Sequence, residues 1–121
     1  MKTLIFINPV SAGGKAIASR DEIISELDNL GVEHDIHITK SVEDLVATIK
    51  KSLDSDYSNF IAVGGDGTLH HMVNVIAGSN KNLGIIPMGS GNDIALNLGI
   101  PNDIKECCKI IKQQNTKKLD L

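Results

Sequence analysis

The 121-residue sequence has few aromatic residues: one Tyr, two Phe and no Trp. A core built on large rings is therefore excluded, and the apolar 41% must rest mainly on Ile, Leu, Val and Ala, as in sheets buried on both faces. Basic residues are not in excess either. Twelve Lys and Arg against fifteen Asp and Glu give a net charge of -3 with no long basic run, so a dedicated nucleic-acid surface is not expected and any anionic ligand must be held locally. The two cysteines, Cys107 and Cys108, are neighbours in an apparent helix, where side chains diverge by about 100°. An ordinary disulfide between them is disfavoured, and they read as reduced packing residues. Long apolar runs are missing too. The opening MKTLIFINPV is interrupted by Asn8 and Pro9, well short of a signal peptide's hydrophobic core or a membrane span, so a cytoplasmic protein is expected. The length suits one domain with its own core.

Apolar periodicity supplies the architecture. Thr3 to Asn8 reads as a buried strand closed by Pro9, and residues 16 to 30 as a helix with Ile17, Ile23, Ile24, Leu27 and Leu30 on one face and Gly31 as its C-cap. Val32 to Ile38 alternates like a half-exposed strand near the sheet edge. Ser41, with Asp44 three residues on, caps a second helix. Residues 59 to 63 form a third strand, 68 to 77 a helix, and Leu83 to Ile86 a fourth strand stopped by Pro87. A short helix through Ala95 to Leu98 and a last helix capped by Asp103 and reaching about Gln114 follow, and Lys118 to Leu121 begins another strand. Repeated strand-to-helix passages imply right-handed crossovers: an α/β fold, three-layer and doubly wound, with a mainly parallel sheet.

Ligands of such sheets bind beyond the carboxyl ends of the strands, where all three glycine-rich loops of this chain fall. In NPVSAGGKA, Gly13 and Gly14 free the backbone to turn amides towards an anion and Lys15 adds charge, although a tight turn with a solvated lysine would read alike. In VGGDGTLHHMV, Gly64, Gly65 and Gly67 let the main chain approach a phosphate, while Thr68 is placed to cap the helix. A carboxylate among anion-seeking amides does not attract phosphate. Asp66 makes sense there if it holds a magnesium ion or accepts a proton from an attacking hydroxyl. In PMGSGNDIALNLGIP, Gly89, Ser90, Gly91, Asn92 and Asp93 serve equally for local capping or ligand contact.

Taken in this order and spacing, NPVSAGGKA, GGDGTLHHMVN and PMGSGNDIALNLGIP resemble the diacylglycerol kinase catalytic domain family, which includes bacterial lipid kinases and sphingosine kinases. The match runs from Thr3 to Leu121, and GGDG is more distantly similar to NAD kinases and phosphofructokinases. The resemblance implies a flavodoxin-like or phosphofructokinase-like N-terminal domain that transfers the γ-phosphate of ATP, with Mg2+, to a lipid hydroxyl such as that of diacylglycerol in phospholipid biosynthesis. It further implies that Asn8, Ser11, Gly13, Gly14 and Lys15 line the nucleotide site and that Gly64, Gly65, Gly67 and Thr68 hold phosphates. Asp66 then stands at the reacting centre, and Gly89, Ser90, Gly91, Asn92 and Asp93 close the cleft.

The chain departs from the family pattern at three places: His71 stands where Glu is usual, Ser90 where Thr is common, and Leu96 where Arg often follows. His70 and His71 read as two exposed helix histidines pointing apart rather than as a metal pair. The resemblance also implies a second, all-β domain, absent from these 121 residues, and transient membrane-surface contact without nucleic acid. Two other readings are a non-catalytic nucleotide- or phosphate-binding module and a kinase of a soluble substrate such as NAD. The sequence is compatible with a homodimer.

Overall fold

The computed structural model describes residues 2–88 and 103–113, the side chain of Asp66 excepted. Four strands, β1 (Lys2–Ile7), β2 (Glu33–Ile38), β3 (Tyr57–Gly64) and β4 (Asn82–Pro87), form one sheet in the order β2-β1-β3-β4, and every pairing is parallel. Among the described residues five α-helices accompany them: α1 (Lys15–Ala18), α2 (Arg20–Asn29), α3 (Val42–Ser52), α4 (Asp66–Ile76) and α5 (Ile104–Lys112). The expected helix at 95–98, the strand start at 118–121 and the PMGSGND loop beyond Met88 lie outside the described residues.

Side chains alternate across the strands and divide the interior into two apolar layers. Leu4, Phe6, Phe60, Ala62, Leu83 and Ile85 face α3 and α4, where Leu45, Ile49, Leu69 and Met72 meet them. Ile5, Ile7, Ile61, Val63 and Ile86 face the other way, against Ile23 and Leu27 of α2 and Cys107, Cys108 and Ile111 of α5. The three layers are thus built from aliphatic residues, with Phe6 and Phe60 stacked inside one of them.

Local signals set most of the boundaries. Gly31, at φ 71°, ends α2 in a Schellman motif: Val32 N–H donates to Leu27 O at 2.9 Å and Gly31 N–H to Asp28 O at 3.1 Å. Ser41 Oγ accepts from Asp44 N–H at 3.0 Å, and Asp103 Oδ1 accepts from Glu106 N–H at 3.1 Å, capping α3 and α5 as the sequence suggests. The helix expected over 16–30 is broken at Ser19, whose hydroxyl donates to Ala16 O at 2.7 Å. At the amino end of the sheet, Asn82 donates to Asn59 and Asn59 to Thr3 across three adjacent strands, pairing polar groups that would be costly to bury alone.

Candidate functional site

Reading outward from β2, strand order reverses between β1 and β3: the chain runs from β1 to β2 on one side and returns to β3 on the other. The segments leaving β1 and β3 therefore diverge to opposite faces and open a crevice at their carboxyl ends, where ligands of such sheets bind. A cavity of about 430 Å³ lies there. Asn8, Val10 and Ser11 line it from the β1 loop, and Gly65, Gly67, Thr68 and His71 from the start of α4. Thr39, Lys40, Ser41, Val42 and Leu45 form a third wall that follows β2.

The β1 loop is shaped by its own polar groups. Asn8 Oδ1 accepts from Val10 N–H at 3.1 Å, and Asn8 O from Ser11 N–H at 3.0 Å, so the chain folds back at once after Pro9. Ala12, Gly13 and Gly14 then occupy the left-handed region in succession, and α1 starts at Lys15. Ser11 reaches across to β3. A Cβ built on Gly64, whose φ is 142°, would meet Ser11 Oγ at 2.4 Å and Ser11 Cβ at 3.1 Å. Gly64 is thus required both by its backbone and by the close approach of Ser11, which ties the β1 loop to the end of β3.

α4 opens without a side-chain cap. Its N-cap is Gly65, extended and bare, so Thr68 is not the cap expected from sequence but the third helical residue. With no cap hydrogen bond from the N-cap side chain, the first-turn amides and the positive end of the helix dipole suit an anionic ligand group. Asp66 is the first residue of α4.

The third wall is held by Asp44. Its Oδ2 accepts from Lys40 N–H at 2.9 Å and lies 2.9 Å from His37 Nε2, while Thr39 N–H donates to Ile7 O at 2.9 Å. The Lys40 amide, and then His37, hold the Asp44 carboxyl below its ordinary value. Behind it, the His37 ring packs edge-on against Phe6 at 5.8 Å.

Of the residues singled out from the sequence, Asn8, Ser11, Gly65, Gly67 and Thr68 meet around this one cavity. Gly64 acts from beneath through Ser11, whereas Gly13, Gly14 and Lys15 sit further along their loop and do not line it. The Asp66 side chain and Gly89, Ser90, Gly91, Asn92 and Asp93 lie outside the description. Thr39 to Val42 escaped sequence reasoning, although β2's place beside β1 would have put its exit at the same crevice. Helical spacing implies an exposed His71 turned away from His70. It is instead half-buried on the cavity wall, one turn beyond Thr68, and the two imidazole rings lie 5.9 Å apart, edge to face. Among the described residues no group of three or more His, Cys, Asp or Glu gathers to hold a metal ion.

The family model described as "Diacylglycerol kinase catalytic domain" matches residues 2–121. The chain belongs to this family. Among its diacylglycerol kinase relatives, one from Staphylococcus epidermidis is 36% identical over 97% of this chain and 38% of its own length, and one from Staphylococcus carnosus is 35% identical over 97% and 39%. A crystal structure of a diacylglycerol kinase from Bacillus anthracis superposes with a TM-score of 0.78 at 28% identity, covering 93% of this chain and 40% of that one. The chain therefore spans about two fifths of the length of these kinases. Among the described residues, no helix is long and apolar enough to cross a membrane.

Proposed function

We propose that this chain is the nucleotide-binding half of an ATP-dependent lipid kinase, which transfers the γ-phosphate of ATP to the hydroxyl of a lipid such as diacylglycerol. The observation that carries the reading is the uncapped start of α4, opening into a cavity that Ser11, seated against Gly64, also lines. Phosphoryl transfer asks a protein mainly for positioning and charge stabilisation, and a cleft of amides, hydroxyls and one lysine supplies both. The Gly67 and Thr68 amides would hold phosphate oxygens, with the Ser11 and Thr68 hydroxyls beside them. Lys40 would add positive charge from the β2–α3 wall.

The donor set fits magnesium bound in part through the nucleotide, because that ion commonly takes one or two protein carboxylates and completes its shell with phosphate oxygens and water. Asp66, at the head of α4, is the residue proposed to hold it or to accept the proton of the attacking hydroxyl. Bound there, the ion would neutralise charge developing on the transferred group. The remaining three fifths of the relatives' length would supply an all-β second domain with lipid contacts, and the enzyme would meet its substrate at the membrane surface.

The test is transfer of labelled phosphate from ATP to a panel of lipids by the full-length protein, beside Asp66→Ala. The variant should lose transfer while keeping part of its nucleotide binding. Full activity in Asp66→Ala would remove that residue from the mechanism. ATP binding without transfer to any lipid, or to NAD, would leave a binding module.

A further inference from the structure

We infer that His71 is an anion contact of the cleft, one that makes the hold on a polyphosphate tail tighten as the solution becomes more acid. The inference deepens the nucleotide reading above and rests on it. On α4, His71 follows Thr68 by three residues and Gly67 by four, spacings that place all three on one helical face. That face is the cavity wall: Gly67, Thr68 and His71 line it together, with His71 half-buried. An anion seated on the first-turn amides of α4 would have the imidazole one turn deeper as its neighbour.

The charges around that position favour a cation. The described cavity-lining residues include two basic groups, Lys40 and His71, and no carboxylate. α3 packs against α4 and carries Glu43 and Asp44 in its first turn, but the Asp44 carboxylate is engaged by Lys40 N–H and His37. β3 and β4, which also pack on α4, contain no Asp, Glu, Lys, Arg or His along YSNFIAVG and NLGIIP. On α4 itself stand Asp66 in the first turn and the exposed His70, whose ring meets that of His71 edge to face. Two adjacent imidazoles repel one another when both are charged, and an anion in the cleft would offset that repulsion. A protonated imidazole pairs with an anion far better than a neutral one does, so acidification strengthens the contact.

The test is calorimetric titration of the full-length protein with tripolyphosphate and with a non-hydrolysable ATP analogue at about pH 6 and pH 8, comparing wild type with His71→Gln and His71→Glu. The ligand's own protonation affects all three alike, so the difference between proteins is the readout. Wild type should gain roughly two- to fivefold more affinity than His71→Gln on acidification, and should take up protons on binding, seen as a buffer-dependent heat that His71→Gln lacks. His71→Glu should bind more weakly than wild type at both pH values. Independently of any variant, NMR of the wild-type His71 ring should show tripolyphosphate shifting it towards the imidazolium form. Equal pH gains in wild type and His71→Gln, or a ring signal indifferent to tripolyphosphate, would overturn the assignment of His71 while leaving the cleft reading standing. Failure of wild type to bind either ligand would overturn both.

Discussion

Replacing Gly64 by Ala probes the junction on which the cleft is built. The perturbation has two parts. At φ 142° an L side chain is rarely tolerated, which costs about 1–3 kcal/mol. The new Cβ would also stand 2.4 Å from Ser11 Oγ and 3.1 Å from Ser11 Cβ, and an overlap of this kind in a packed setting costs a further 1–3 kcal/mol or so. Turning the Ser11 hydroxyl aside relieves only the shorter contact, so the β1 loop itself must move. Urea unfolding of Gly64→Ala should therefore show a loss of about 2–6 kcal/mol. The two parts separate in a double-mutant cycle. In a Ser11→Gly background the clash is gone, and Gly64→Ala should cost only the backbone part, leaving a coupling of about 1–3 kcal/mol. An equal loss in both backgrounds would refute the contact. No loss in either would refute the backbone argument as well.

Two other expectations concern groups away from that junction. Burial raises the Cys107 thiol to about 11 and the Cys108 thiol to about 12, so both should react with a thiol reagent at neutral pH only after denaturant is added; prompt modification of the native chain would contradict their packing between α5 and the sheet. Asp44, whose carboxyl is depressed by the Lys40 amide and His37, stabilises the fold above the ordinary carboxylate range, and that contribution disappears as pH falls through its lowered folded value. Asp44→Asn should accordingly be somewhat less stable than wild type at neutral pH and lose less stability between about pH 5 and 2, followed by urea midpoints; identical acid limbs would rule the linkage out.

What could be read from the sequence was whatever local chemistry decides. Gly31, Ser41 and Asp103 terminate or start helices through bonds to residues three to five positions away, and each does so as its neighbours in sequence imply. The four strands appear where apolar residues run or alternate, and the edge position of β2 follows from its polar alternate face. Three features needed tertiary knowledge. α4 begins at Asp66 rather than at 68, because Gly65 serves as N-cap without any side chain to advertise it. The Thr39–Val42 wall depends on which strand lies beside β1, which no short window of sequence contains. The placement of His71 depends on the turn of α4 relative to the crevice, and that is fixed by Leu69, Met72 and Val73 burying on the opposite side. The sequence asks for glycine at 64 to admit a phosphate, whereas its positive φ and its contact with Ser11 across 53 positions of chain come from the fold alone.

The division of the interior into two apolar layers bears on how the protein comes apart. Each central strand serves both layers: Leu4 and Phe6 face one, Ile5 and Ile7 the other, and Phe60 and Ala62 alternate likewise with Ile61 and Val63. Stripping α3 and α4 from their side would wet the same strands that seat α2 and α5, so neither flank has a folded state to itself. Melting should run as a single cooperative event across the sheet. Amides of β1 and β3, shared by both flanks, should then be the slowest in the molecule to exchange with deuterium, and should do so at matching rates.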